Sequence, residues 1–296
     1  IAGEQFGFSL SSAGDVNGDS KPDYVIGAST ATRSGKTAVG KIYVYSGADG
    51  SLLFDRQGES ADDQFGYAVS SAGDVDGDGK SDILAGAINS SYDGKSNSGS
   101  AYVISGADNS ILFHPNGELV GDQFGNAVSP LGDVNGDGKD DFLVAAFKAN
   151  PAGMSNAGSV YVYSGADGSL IYRLDGEAAK DEFGGSIAAI GDQDGDGIAD
   201  FIVGAQWNSP SGKYHAGAAY VFSGKTGKLL CKIEGETGGS SIGLGEGDQF
   251  GMAVASAGDI NGDGKEELMA GTTATSLSLT VNNVGTAYIY SLTKVE

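Results

Sequence analysis

The sequence is poor in the residues that staple a fold, bind nucleic acid or carry common catalytic motifs. Among 296 residues there is one cysteine, one tryptophan, two histidines and five prolines. A lone Cys231 excludes an internal disulfide, and its place in the apolar run Leu229-Leu230-Cys231-Lys232-Ile233 reads as a buried thiol. Lys and Arg total 17 against 39 Asp and Glu, a formal net charge of -22 with no basic cluster, so nucleic acid is not an expected partner. Runs of about 18 apolar residues are missing, which leaves no helical membrane span to expect. No His-Glu-x-x-His, Gly-x-Ser-x-Gly elbow or phosphate-binding loop occurs. Ile1 opens directly in domain-like sequence, so any export signal is expected to have been removed already or to lie outside this sequence.

What the chain has in abundance is glycine, 51 residues, alongside 40% hydrophobic and 19% charged residues. That hydrophobic share argues against disorder, and the acids therefore need a local explanation. Phe-Gly pairs recur at Phe6-Gly7, Phe65-Gly66, Phe124-Gly125, Phe183-Gly184 and Phe250-Gly251, three spacings of 59 residues and one of 67. The extra residues fall in the Gly- and Ser-rich stretch 238–247, a longer surface connection. In the second copy the pattern predicts strands over 65–71, 82–87, 100–104 and 110–114, separated by Gly- and Asp-rich turns. The third strand recurs as Lys41-Ile42-Tyr43-Val44-Tyr45, Val160-Tyr161-Val162-Tyr163, Ala219-Tyr220-Val221-Phe222 and Ala287-Tyr288-Ile289-Tyr290. Four-stranded sheets with two apolar faces bury both by radial stacking, so the expected fold is all-β, a five-bladed β-propeller of four-stranded antiparallel blades. A linear stack, or an arc of a larger ring, is the alternative. The chain reads as one domain, 1–296, with units near 6–64, 65–123, 124–182, 183–249 and 250–296 and closure using residues 1–5.

Between the first and second strands every copy carries a nine-residue acidic loop. Side-chain oxygens stand at positions 1, 3, 5 and 9, and position 7 can lend its carbonyl. The loops supply Asp15, Asn17, Asp19, Lys21 and Asp23; Asp74, Asp76, Asp78, Lys80 and Asp82; Asp133, Asn135, Asp137, Lys139 and Asp141; Asp192, Asp194, Asp196, Ile198 and Asp200; and Asp259, Asn261, Asp263, Lys265 and Glu267. An oxygen-only shell of this size suits Ca²⁺, up to five ions, better than Mg²⁺ or Zn²⁺. Seventeen carboxylates crowd these positions, so five ions would move the net charge from -22 to about -12. Position 6 is glycine except for Ser20, where strain or weaker binding is expected. No glutamate follows at position 12, which separates these hairpin loops from the helix-loop-helix calcium motif.

Phe-Gly, the Gly-Asp-Val-Asn-Gly-Asp-Gly-Lys-x-Asp loop and the Gly-Ala-like ends of the second strands, Gly27-Ala28, Gly86-Ala87, Ala145-Ala146, Gly204-Ala205 and Ala270-Gly271, together resemble FG-GAP repeats. Such repeats build the integrin α-subunit propeller and many bacterial secreted or cell-surface proteins. The resemblance implies calcium within the blade hairpins, extracellular placement, and adhesion or ligand binding. Five units instead of seven, each with an acidic loop, depart from the integrin head, so an integrin-like β-subunit partner is not implied.

Strand parity puts the acidic 1–2 loops and the 3–4 turns on one face and the 2–3 and 4–1 connections on the other. The 2–3 connections, near 29–37, 88–99, 147–157, 206–217 and 272–285, vary most between copies, the usual place for binding residues. Candidates there are Trp207, Tyr214 and His215, with Tyr92 and Arg33; Trp207 could instead fold back on its own blade. The acids of the 4–1 connections, Glu4, Asp62, Asp63, Asp122, Asp181, Glu182 and Asp248, read as solvated charge. The function expected is a calcium-stabilised extracellular module that recognises a protein or glycan. Alternatives are a calcium-dependent polysaccharide-cleaving enzyme, whose carboxylate pair would be defined only in space, and a structural spacer of a larger surface protein.

Overall fold

A computed structural model describes residues 3–33, 35–239, 247–275 and 284–292. Alternation of β-branched and small residues between glycine turns yields strands throughout. They are β1 Phe6–Gly14, β2 Asp23–Ala28, β3 Lys41–Tyr45, β4 Leu52–Gln57, β5 Phe65–Gly73, β6 Asp82–Ala87, β7 Ser100–Ile104, β8 Ile111–Phe113, β9 Val128–Gly132 and β10 Asp141–Ala146. The series continues with β11 Ser159–Tyr163, β12 Leu170–Asp175, β13 Ser186–Ile190, β14 Asp200–Ala205, β15 Ala218–Phe222, β16 Leu229–Glu234, β17 Ala253–Gly258, β18 Glu267–Thr275 and β19 Val284–Tyr290. Each run of four consecutive strands makes one sheet in chain order, and β17–β19 make a fifth sheet of three described strands. Paired strands run antiparallel, as in Phe201 opposite Phe222 and Ala205 opposite Ala218. Short 3-10 turns at Pro151–Gly153 and Pro210–Gly212 sit in 2–3 connections.

The all-β fold of repeated sheets follows the sequence pattern. The chain divides into two compact units, Ile1–Ala149 with Tyr161–Tyr172, and Asn150–Val160 with Arg173–Glu296. In the first unit, period two splits one strand between two cores. Ile83 and Ala85 face Val25, Ile42 and Val44 of the first sheet. Leu84 faces the other way, onto Phe142 and Val144 of β10. In the second unit Ile202 and Val221 pack on Phe250, Leu268 and Ala270. The second strands β6, β10 and β14 are buried at every position, whereas the fourth strands are half-exposed.

Phe-Gly has a specific packing role. Each Phe ring meets the first tyrosine of its own third strand edge-on, at 5.3 Å for Phe6–Tyr43, 5.2 Å for Phe65–Tyr102, 5.3 Å for Phe124–Tyr161, 5.4 Å for Phe183–Tyr220 and 5.8 Å for Phe250–Tyr288. Its backbone N–H donates to the preceding copy's 2–3 connection: Phe65 to Val39 O, Phe124 to Ser98 O, Phe183 to Ala157 O and Phe250 to Ala216 O. These four rings are at most 2% exposed, and burying each contributes about 1.5–3 kcal/mol. Phe6, by contrast, is 54% exposed. The glycines just before β3, β7, β11 and β15 let the backbones meet. At Gly99, φ +79°, a Cβ would sit 2.2 Å from Phe124 O.

Of the expected clasp, residues 1 and 2 lie outside the described residues, and 3–5 form no strand. Most of the 238–247 insertion, and 276–283 of the last 2–3 connection, also lie outside them.

Candidate metal centres

All five acidic loops share one hydrogen-bond scaffold, and the position-1 carboxylate organises it. In loop two Asp74 Oδ1 accepts from Gly77 N at 2.6 Å and Asp78 N at 3.1 Å, while its Oδ2 accepts from Gly79 N at 3.0 Å. Asp15, Asp133, Asp192 and Asp259 do the same in their loops. Position 3 then accepts from position 5, and position 5 from position 7, as in Asp78 N to Asp76 Oδ1 at 3.0 Å and Lys80 N to Asp78 Oδ1 at 2.9 Å. Both oxygens of the position-1 aspartate and one oxygen at positions 3 and 5 orient the turn. Loop one reaches this geometry with Ser20 at φ 66°, where the other loops place glycine at 84–88°. The left-handed conformation costs a non-glycine residue about 1–2 kcal/mol, so the expected strain is present.

Position 9 does more than the sequence suggested. Asp23, Asp82, Asp141 and Asp200 are at most 2% exposed. Their Oδ2 atoms accept from the N–H of position 2, at 2.9 Å for Val16, Val75 and Val134 and 2.7 Å for Gln193. Their Oδ1 atoms accept from Gly47, Gly106, Gly165 and Gly224, each at 3.0 Å, at the start of the 3–4 turn. This aspartate thus ties the 1–2 loop to the 3–4 turn on one edge of its sheet, as strand parity requires. Glu267 replaces it in loop five and accepts from Ile260 N. Burial pushes Asp82 and Asp200 up to about 6 against the pull of those N–H donors, and it raises Asp141 in the same way.

Two loops gather three carboxylates with ligand oxygens all within 4.8 Å of one another: Asp74, Asp76 and Asp78, and Asp192, Asp194 and Asp200. The expectation of up to five ion sites therefore narrows, among the described residues, to two all-carboxylate clusters. Loops two and four carry Asp at position 3. Loops one, three and five carry Asn17, Asn135 and Asn261 there, which removes one acid from each.

Neighbouring loops are laced together by groups that sequence reasoning passed over. Asp140 Oδ2 accepts from Asp74 N at 3.0 Å, Ser81 N donates to Asp15 O at 2.8 Å, and Glu266 Oε2 accepts from Gly191 N at 3.0 Å. Lys265 Nζ donates to Gln193 O, so a position-7 side chain serves the loop before it. The signal was legible as Ser, Asp or Glu at position 8.

On the opposite edge the 4–1 acids correct the sequence reading. Asp63, Asp122, Asp181 and Asp248 are buried, not solvated. Asp63, Asp122 and Asp248 accept from Ser60 N, Leu119 N and Thr237 N, and Asp181 from Asn208 Nδ2 at 2.7 Å. They close the loop that presents each Phe-Gly pair, and the residue between, Gln64, Gln123, Glu182 or Gln249, has φ of 52–56°. The recurring Asp-Gln/Glu-Phe-Gly was the available clue.

The proposed recognition residues fall into separate groups. Trp207 meets His215 edge-on at 4.7 Å and His215 stacks on Tyr214 at 3.6 Å, so those three form one partly exposed aromatic cluster. Arg33 borders a cavity of about 250 Å³ with Glu4, Lys41 and Tyr43. Tyr92, 50% exposed, borders a cavity of about 390 Å³ with Glu59, Asp63, Tyr102 and His114. The His114 imidazole stacks on Tyr102 at 4.0 Å, and its buried Nε2 has no hydrogen-bond partner. Burial holds His114 below the ordinary histidine range, with Glu59 pulling the other way. A depressed histidine stabilises the fold fully above its ordinary value, about 6.5, and loses that contribution as pH falls through the folded pKa. Melting temperature should therefore drop less between pH 7 and 5 in His114→Phe than in the parent chain; equal slopes would remove His114 from the account.

Comparison with known proteins agrees with this architecture. The FG-GAP-like repeat pattern matches residues 15–85 and 133–203, and the FG-GAP repeat matches 250–290. The chain is 30% identical over 221 residues to integrin alpha-5 of Xenopus laevis, covering 71% of this chain and 20% of the relative. It is 32% identical over 213 residues to integrin alpha-V of Gallus gallus, covering 67% and 20%. The chain thus spans about a fifth of the length of these curated relatives. Its fold is similar to that of rhamnogalacturonan lyase YesW, with TM-score 0.50 and 18% identity over 88% of this chain and 46% of the lyase. Among the described residues no helix is long and apolar enough to cross a membrane. With Phe-Gly docking, acidic hairpin loops and these matches in agreement, the chain belongs to the FG-GAP repeat family.

Proposed function

We propose that this chain is an extracellular, calcium-stabilised binding module whose 2–3 connections recognise a protein or glycan. The observation that carries it is the repeated loop scaffold, which in loops two and four brings three carboxylates together. The donor set is oxygen only, which fits Ca²⁺ and disfavours Zn²⁺. Asp74, Asp76 and Asp78 with the Lys80 carbonyl, and Asp192, Asp194 and Asp200 with the Ile198 carbonyl, would hold ions. The Asn-bearing loops one, three and five would hold ions of lower local charge density. Bound Ca²⁺ supplies positive charge; the chain's own backbone N–H groups already orient the ligands. The five sheets are proposed to close as a propeller, because Phe65, Phe124, Phe183 and Phe250 each dock on the preceding repeat while Phe6 is exposed.

Integrin α chains among the relatives favour binding over catalysis. A second reading, calcium-dependent polysaccharide cleavage, is favoured by fold likeness to a rhamnogalacturonan lyase together with the Glu59, Tyr102 and His114 pocket. An array of glycans and extracellular proteins in calcium separates the two. Binding lost in Trp207→Ala and Tyr214→Ala, with calcium-dependent melting intact, supports the aromatic cluster as the recognition site. Turnover of a polysaccharide supports the enzyme, and a silent array with no turnover leaves a structural spacer.

A further inference from the structure

We propose that the cavity of the second repeat, between Tyr92 and His114, is a binding site for one neutral sugar residue. This rests on the binding-module reading and names a subsite within it. The argument begins with a comparison of repeats. In the fourth repeat, Lys232 stands three residues before Gly235; its Nζ lies 4.9 Å over the Tyr220 ring and 2.7 Å from Glu177 Oε2. Tyr220 OH also donates to Glu177 Oε2, at 3.0 Å. The space between that glutamate and tyrosine is filled from within. In the second repeat the equivalent tyrosine and glutamate are Tyr102 and Glu59, but His114 takes the lysine's place, three residues before Gly117. The imidazole lies flat on Tyr102 and leaves a cavity of about 390 Å³.

The walls of that cavity are polar in both senses. Glu59 and Asp62 accept hydrogen bonds, while the Asn89 and Asn97 side chains also offer N–H donors. Gln123 Nε2 donates to Asn89 Oδ1 at 3.2 Å and so fixes that amide. A sugar hydroxyl both donates and accepts, so it can satisfy the acids and the amides together. An ammonium group only donates and would leave the amide donors unmatched. Tyr92 supplies an exposed ring at the rim for the apolar face of a pyranose. The loop that carries the ring is held in place, because Lys95 N donates to the Tyr92 backbone O at 3.0 Å and Asn97 N to Ser91 Oγ at 3.2 Å. The site is thus built before the ligand arrives.

The test uses the whole chain in millimolar calcium, titrated with a panel of neutral monosaccharides and their amino-sugar counterparts and read by calorimetry or saturation-transfer NMR. A neutral sugar is expected to bind, with affinity reduced about tenfold by Tyr92→Ala, which removes the stacking ring, and by His114→Phe, whose larger ring takes up part of the cavity. His114→Phe retains a ring on Tyr102, and Tyr92 is exposed, so the calcium-dependent melt of both variants should match the parent. The proposal is overturned if no neutral sugar binds a chain that melts normally, if only amino sugars bind, or if both variants keep full affinity. Glycan binding that survives these changes and disappears in Trp207→Ala would overturn this site and leave the binding-module reading standing. Loss of the calcium-dependent melt itself would instead strike that reading.

Discussion

Transfer from chelator to millimolar calcium should raise the melting temperature by about 10 °C. A ligand at a hundred times its dissociation constant stabilises the folded state by about 2.7 kcal/mol per site. Two sites, the carboxylate clusters of loops two and four, would therefore supply about 5 kcal/mol. In a chain of this length each kcal/mol moves the midpoint by about 2 °C. Differential scanning calorimetry with matched ionic strength measures the shift, and a magnesium arm separates the hard-cation shell from general charge screening. Asp76→Asn combined with Asp194→Asn should shrink the shift most, because those residues set the second and fourth loops apart from the other three. A chain that melts alike in chelator and calcium would refute the metal reading.

Replacing Asp82 by alanine should cost about 3–5 kcal/mol even in chelator, since it strips the acceptors from two N–H groups at a buried site, each worth about 1–3 kcal/mol. Those donors are Val75 N and Gly106 N, and the aspartate itself is 0% exposed. Asp141→Ala and Asp200→Ala should behave alike, because the same pair of bonds recurs in their sheets. Asp82→Asn retains one acceptor oxygen and should fall between. Denaturant midpoints in chelator separate this structural role from metal binding. If Asp82→Ala unfolds at the parent's midpoint there, the bridge between loop and turn contributes nothing.

Much of this fold was legible because its chemistry repeats at fixed offsets. β6 and β7 have the bounds expected for the second copy, since Asp82-Ile83-Leu84-Ala85-Gly86-Ala87 and Ser100-Ala101-Tyr102-Val103-Ile104 are set off by glycine turns. β8 is shorter than expected, stopping at Phe113, because Pro115 lacks the N–H that would extend the ladder. The acidic loops were visible as a donor pattern, but their sorting into two all-acid clusters turns on Asp against Asn at position 3. The second role of the position-9 aspartate depended on a glycine 24 residues away, which no local pattern shows. The buried 4–1 acids were misread because charge composition says nothing of whether a loop folds over its own carboxylate. His114 belonged to no motif; the cavity beside it exists because β7, the end of β8 and two connections converge there.

The direction of the Phe-Gly contacts imposes an order on synthesis. Each of Phe65, Phe124, Phe183 and Phe250 hydrogen-bonds to a segment translated before it. A nascent chain leaving the ribosome has the backbone acceptor ready when each new phenylalanine emerges, and the tyrosine that meets its ring follows. Truncation from the carboxyl end removes guests and leaves their hosts intact, while truncation from the amino end strips the seat from a ring that was dry.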